Sequence, residues 1–338
     1  MGLDYRVKCC PDGLMTDRRR NVRVLDCTIR DGGICNEWLF DPQLVKRTFA
    51  ALSAAGVDIM EIGYRTSTDA ADPTKVGPWR FSGEDDIRRV AIESNMKIAV
   101  MLDEGRARIE DLRPKSESMV DIVRVATYAK DVEKAIELLH GAQELGYETF
   151  CNVMAVSTCT PQEVDVFLDK LRDSRVENVA VVDSFGALYP HHVRYLIRKY
   201  KNWLRPGQNV GVHMHNNQQT AFANTIAAID EGADFVDATI NGMGRGAGNC
   251  PLELLLMYLD DPRFDPRPVI DLVDDYVNLR DALRWGYHLP YVVTGWLNLH
   301  PKAAIERMKR EDRYECLDFY ETLSRNRPLP KHHRADRE

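Results

Sequence analysis

The chain has 338 residues, 44% of them hydrophobic, enough to bury one large domain with an appendage. A formal charge of −7 and an isoelectric point near 5.8 give no electrostatic reason to expect nucleic acid or an anionic membrane as partner. No long uncharged apolar segment predicts a membrane span, and Asp4, Lys8 and Asp12 interrupt any secretory h-region.

Residues 1–21 are expected to form an N-terminal extension, whose Arg18-Arg19-Arg20 run reads as a solvated charge cluster. The first strand, Val22–Cys27, runs into Thr28-Ile29-Arg30-Asp31-Gly32-Gly33, a guanidinium and a carboxylate followed by a glycine turn. Pro42–Ala55 follows as a helix capped by Asp41. Further strands are expected at Asp58–Gly63, Lys97–Leu102, Ile122–Ala126, Thr149–Met154, Asn178–Asp183, Asn209–His215 and Phe235–Thr239. They are near-continuous Val/Ile/Met runs, as parallel strands covered on both faces should be. Helical periodicity marks Asp131–Leu145, Pro161–Arg172 and Gln219–Glu231 between them.

Eight βα units over residues 22–265 predict an α/β protein, a (β/α)8 TIM barrel with its active site at the C-terminal ends of the strands. An open doubly wound sheet is the alternative, although no GxGxxG opens a helix after the first strand. Pro262, Pro266 and Pro268 then break the pattern. Residues 266–328 are expected as a C-terminal helical region, with helices over Val269–Arg284 and Lys302–Arg310, and residues 329–338 as a polar tail. Eight scattered cysteines, including the adjacent Cys9-Cys10, form no disulfide framework, so reduced thiols and a cytoplasmic location are expected.

His213 and His215 stand two apart at a strand end and so share a face. Alone, they serve equally well as polar caps or as half of a metal site. Asp31 adds a hard carboxylate from the first strand's rim, and one carboxylate with two imidazoles suits Mn2+, Mg2+ or Zn2+ with positions open for substrate. Gly242, Gly244, Gly246 and Gly248 crowd the loop after the eighth strand, where close backbone approach is affordable.

Asp26-x-Thr28-x-Arg30-Asp31-Gly32, the His213-x-His215 pair and Gly242-x-Gly244-x-Gly246-x-Gly248-Asn249 together resemble the DRE-TIM metallolyase superfamily. Within it, the motifs are most similar to those of 4-hydroxy-2-oxovalerate aldolase. Val123–Thr127, Val181–Ser184, His213–Asn217 and Gly248–Glu253 carry that likeness. The resemblance implies a TIM barrel holding a divalent ion, manganese above all, on Asp31, His213 and His215, with Asn249 completing or supporting the site. It also implies a carbon–carbon lyase working through a metal-bound enolate of pyruvate or a related 2-oxo acid, stabilised by Arg30. Arg30 has a plainer role available, a salt bridge to Asp26 or Glu61. Arg124, Ser184 and Arg245 are the expected substrate contacts, and a 2-oxo acid and an aldehyde the expected small-molecule partners. A homodimer and an aldehyde dehydrogenase partner are compatible with the likeness.

The chain departs from the aldolase pattern at Ile34, where a histidine that handles the substrate hydroxyl's proton is expected. Tyr291 is the leading replacement, followed by Tyr287 and Glu37. The loop cysteine of the similar hydroxymethylglutaryl-CoA lyases has no match between Gly242 and Gly248, and that departure from the resemblance argues against coenzyme A thioester cleavage. A Claisen-type acyltransferase and a degenerate, non-catalytic barrel acting as a partner subunit are the competing expectations.

Overall fold

The computed structural model describes residues 21–325; Cys9-Cys10, Arg18-Arg19-Arg20 and the polar tail lie outside the described residues. Eight parallel strands pair in chain order and close into a barrel. They are β1 (Arg23–Asp26), β2 (Ile59–Tyr64), β3 (Lys97–Asp103), β4 (Ile122–Tyr128), β5 (Glu148–Met154), β6 (Asn178–Asp183), β7 (Asn209–Met214) and β8 (Phe235–Ala238). Closure runs from Arg23 opposite Phe235 to Asp26 opposite Ala238. The open-sheet alternative is thereby excluded.

The helices are α1 (Thr28–Asn36) and α2 (Pro42–Ala54) after β1, then α3 (Glu84–Val90), α4 (Val132–Glu144), α5 (Pro161–Asp173), α6 (Pro190–Trp203), α7 (Ala221–Asp230) and α8 (Leu252–Leu259). α9 (Arg267–Leu283), α10 (Leu289–Trp296), α11 (Lys302–Lys309) and α12 (Cys316–Ser324) follow the barrel. Capping sets several starts: Asp41 accepts from the Gln43 N–H ahead of α2, and Thr160 with Glu163 forms a reciprocal capping box on α5.

Two expectations need correction. The segment after β1 is a helix, α1, instead of a glycine turn. Its glycines serve packing: a Cβ on Gly33 would lie 2.0 Å from Trp38 Cδ1, and one on Gly32 2.7 Å from Met243 Sδ. Tertiary contact thus outweighs the roughly 1 kcal/mol each glycine costs a helix interior relative to alanine. The β3–β4 connection carries only short 3-10 turns, Ile109–Asp111 and Lys115–Glu117, so that βα unit lacks its α-helix. Pro114 disfavours helical backbone at Arg113 and splits the segment.

Burial follows from this topology. Val, Ile and Leu side chains pointing outward from the strands pack under the helices, while Leu25, Ile59, Ala99, Ile122, Phe150, Ala180 and Phe235 fill the barrel's inside. α9 joins the main core through Val269, Leu272 and Tyr276, whose hydroxyl hydrogen-bonds Thr48 at 2.7 Å. α10–α12 enclose a separate small core that includes Ala247 of the glycine-rich loop. The appendage therefore reaches the rim where the strands end.

Candidate active site

Asp31, on the first turn of α1, meets His213 and His215, from the end of β7 and just past it. One ligand-type atom from each lies within 4.8 Å of the others, and all three residues are buried. The imidazoles cross edge to face at 5.0 Å. Nε2 of His213, Nδ1 of His215 and Oδ1 of Asn249 are buried without hydrogen-bond partners. Such orphaned atoms normally cost free energy, and one carboxylate, two imidazoles and an amide oxygen gathered in one buried cluster suit a divalent cation. Burial keeps His215 neutral by pushing its pKa well below the ordinary value, so it offers a lone pair. At Asp31 burial opposes the charge, but Arg30 foremost, with Arg245, outweighs it and holds the carboxyl well below its usual range. A second group, Cys27, His213 and Asp237, shares His213. Burial raises the Cys27 thiol far above its ordinary value, which makes it a poor thiolate ligand.

The surroundings hold these side chains in place. Asn249 Nδ2 donates to Asp31 Oδ2 at 2.8 Å, and the Arg245 N–H approaches the same oxygen at 3.3 Å. Arg30 donates through Nη1 to Asp31 Oδ1 at 2.6 Å and through Nε to Glu61 Oε2 at 2.7 Å. Arg30 therefore makes the salt bridge to Glu61 and also sits beside the Asp31 carboxylate.

A Cβ on Gly244 would fall 2.3 Å from Asn249 Nδ2 and 2.5 Å from Asp31 Oδ2, so only glycine lets this loop close on the pair. Gly244→Ala is expected to weaken divalent-metal binding by roughly 10-fold or more, as loss of supporting contacts does in metal sites. The fold should melt as before; isothermal titration with Mn2+ beside a thermal melt checks both.

The model of the HMGL-like family matches residues 21–282. The chain belongs to the HMGL-like family. Oxaloacetate decarboxylase of Mycobacterium tuberculosis is 33% identical over 249 residues, covering 73% of this chain and 72% of that protein. 4-Hydroxy-2-oxovalerate aldolase of Carboxydothermus hydrogenoformans is 30% identical over 305 residues, covering 86% and 89%. The N-terminal domain of a putative aldolase from Bacteroides vulgatus superposes with a TM-score of 0.76 at 30% identity, covering 88% of this chain and 99% of that one. The DRE-TIM resemblance seen in the motifs is thus established at family level.

The remaining expected site residues of this HMGL-like chain divide. Arg245 comes to the rim: its Nη2 donates to the Ser184 carbonyl at 2.7 Å and lies 3.4 Å from His215 Nε2. Ser184 is beside it, its hydroxyl accepting the Ala155 N–H at 2.9 Å. Tyr291 on α10 is 5% exposed and packs with Ala247, 3.6 Å from where a Gly246 Cβ would sit. Burial, and Cys35 beside it, push its phenol well above the ordinary value, so it is an acid and not a phenolate.

Three of the expected residues lie apart from the cluster. Arg124 is fully buried and donates to Glu61 Oε2 at 3.1 Å and Asp237 Oδ2 at 2.8 Å, bracing the barrel's inside. Tyr287 is 65% exposed, on the loop ahead of α10. Glu37 is exposed at the left-handed C-cap of α1, which carries it outside the buried cluster.

Asp237 was missed by sequence reasoning. Its signal was a carboxylate inside the otherwise apolar strand Phe235–Ala238. Arg80 was missed too. Its guanidinium stacks over Trp38 at 4.6 Å and Tyr64 at 4.5 Å and reaches Asp103 at 3.3 Å, bracing the β2–β3 side of the rim.

Proposed function

We propose that this chain is a divalent-metal-dependent carbon–carbon lyase that makes or breaks a bond through the enolate of pyruvate or a related 2-oxo acid. The carrying observation is the buried Asp31, His213 and His215 set, with the unpartnered imidazole nitrogens and Asn249 Oδ1 around it. A divalent ion held there, Mn2+ in this reading, would supply Lewis-acid polarisation of a keto group. Arg30 is positioned to oppose the negative charge that develops on enolisation, with Glu61 and Asp31 fixing its planar fork. Arg245 takes an anionic group of the substrate, and Ser184 lines the same side. Decarboxylation of oxaloacetate and retro-aldol cleavage of 4-hydroxy-2-oxovalerate, the reactions named for two relatives, both leave an enolate of pyruvate, which supports this shared step.

Small-molecule partners are then a 2-oxo acid and an aldehyde, with a homodimer and an aldehyde dehydrogenase as protein partners of the same proposal. The six described cysteines are free, which supports a reducing, cytoplasmic setting. Metal analysis of the purified protein, together with pyruvate C3 proton exchange followed by NMR in deuterated water, tests the core claim. Bound stoichiometric metal with metal-dependent exchange is expected; absence of both would favour a non-catalytic barrel.

Tyr291 is the proposed proton carrier in place of the histidine absent at Ile34. Tyr291→Phe removes only the hydroxyl. It is expected to keep metal binding and pyruvate exchange while slowing carbon–carbon cleavage by roughly 100-fold, within the range of general acid–base contributions. Wild type should cleave 4-hydroxy-2-oxovalerate slowly. Efficient cleavage by Tyr291→Phe would remove the tyrosine from the reaction.

A further inference from the structure

Beneath the mouth, the two halves of the site are joined by side chains that face no solvent. Asp237 Oδ2 lies 3.1 Å from His213 Nδ1 and accepts from Arg124 Nη2 at 2.8 Å. Arg124 Nη1 donates at 3.1 Å to Glu61 Oε2, the oxygen that also accepts from Arg30 Nε at 2.7 Å. Arg30 Nη1 then closes on Asp31 at 2.6 Å. The path His213–Asp237–Arg124–Glu61–Arg30–Asp31 therefore begins on one candidate ligand and ends on another. The Glu61, Arg124 and Asp237 side chains are each 0% exposed.

A buried ion network of this size is weak support for stability, because apolar residues of similar volume commonly serve as well or better. The layer below shows the apolar solution in use, with Ile59, Phe150 and Phe235 packed together. The second oxygens, Glu61 Oε1 and Asp237 Oδ1, are buried without partners, so each carboxylate is held through a single oxygen. Arg124 is common to both. One planar guanidinium can present separate N–H groups to two carboxylates at once, whereas an ammonium is a point charge.

We propose that Asp237 and Arg124 are positioning residues. Asp237 holds His213 as the Nδ1–H tautomer, which leaves Nε2 free for a divalent cation. Arg124, as the shared counter-ion, makes that hold and the grip of Glu61 on Arg30 interdependent. Losing the charge at Asp237 lets Arg124 shift toward Glu61 and loosens Arg30 at the opposite side of the site. This inference rests on the metal-centre reading above.

The tautomer of His213 is read by 15N NMR on metal-free protein, Mn2+ affinity by the EPR signal of free Mn2+, and enolisation by pyruvate exchange at saturating Mn2+. Asp237→Asn is expected to mix the His213 tautomers and to weaken Mn2+ binding roughly 10- to 100-fold. It should also lower kcat for exchange with little change in KM. Arg124→Lys keeps the charge but loses the fork. It is expected to stay folded by circular dichroism and to show weaker Mn2+ binding and slower exchange together. Adding Glu61→Gln to Asp237→Asn should slow exchange by less than the product of the two single effects. A wild-type His213 in the Nε2–H form, or Asp237→Asn with wild-type tautomer and Mn2+ affinity, would overturn the role of Asp237. Fully multiplicative effects in the double variant would overturn the shared role of Arg124. If wild type binds no Mn2+, the metal reading falls, while the tautomer in metal-free protein still decides for or against Asp237.

Discussion

Replacing His213 or His215 by alanine is expected to abolish metal binding and activity together. Both rings are buried, and a ligand-type nitrogen of each lies within 4.8 Å of an Asp31 carboxylate oxygen, so each deletion removes a donor instead of trimming a contact. Losing a supporting residue in a metal site costs about 10–100-fold in affinity, so losing a donor should cost more than about 100-fold. Asp31→Ala belongs in the same class, with an added penalty: Arg30 and Asn249 Nδ2 lose the carboxylate they bind. Equilibrium dialysis against Mn2+, beside pyruvate exchange on the same samples, reads both effects. Circular dichroism shows whether the barrel survives. A His213→Ala protein that folds and still binds one equivalent of Mn2+ with wild-type affinity would move the metal centre elsewhere.

Arg30 should show the opposite division, a loss in turnover with substrate binding largely kept. Its guanidinium is nearly enclosed and held by Glu61 and Asp31, and on the proposed reading this preorganises it for charge that appears only on enolisation. Removal of one such donor typically costs ~10²–10³ in kcat, and Arg30→Lys should approach that loss because the fork and its two fixed bonds disappear. Arg30→Ala carries a confounding cost. Deleting one partner of a buried ion pair destabilises by about 3–5 kcal/mol, and only Arg124 would then hold Glu61. The lysine variant is therefore the cleaner test. Pyruvate exchange isolates the step from bond cleavage; an unchanged exchange rate in Arg30→Lys, with metal bound, would assign Arg30 a purely structural role.

The barrel was legible in the chain because parallel strands covered on both faces must be apolar nearly throughout. Each of the eight Val/Ile-rich runs became a strand within a residue or two of its expected bounds. The metal-centre candidates were legible for a related reason. His213 and His215 stand at the end of such a run, and Asp31 just beyond another, at the end of the barrel where side chains face the mouth.

Single residues away from those motifs were decided by packing. Arg124 looked like a substrate contact because a charge in a strand suggests function; whether it faces the mouth or lies beneath it depends on which partners the closed barrel brings across. Those partners, Glu61 and Asp237, are 63 and 113 residues away in the chain. Tyr287 is expected from its match to the aldolase's C-terminal tyrosines and Glu37 as a substitute for the histidine absent at Ile34, but a helix C-cap turns Glu37 outward and a loop leaves Tyr287 in solvent. α1 itself was hidden because Gly32 and Gly33 signal a turn locally, while the space they leave is taken by Met243 and Trp38. By itself the sequence determined which strands form and which residue types arrive at their ends, since hydrophobic periodicity and strand alternation are local properties. Only the tertiary structure decided which charges pair across the barrel, since a buried ion's partner is chosen by closure of the whole sheet.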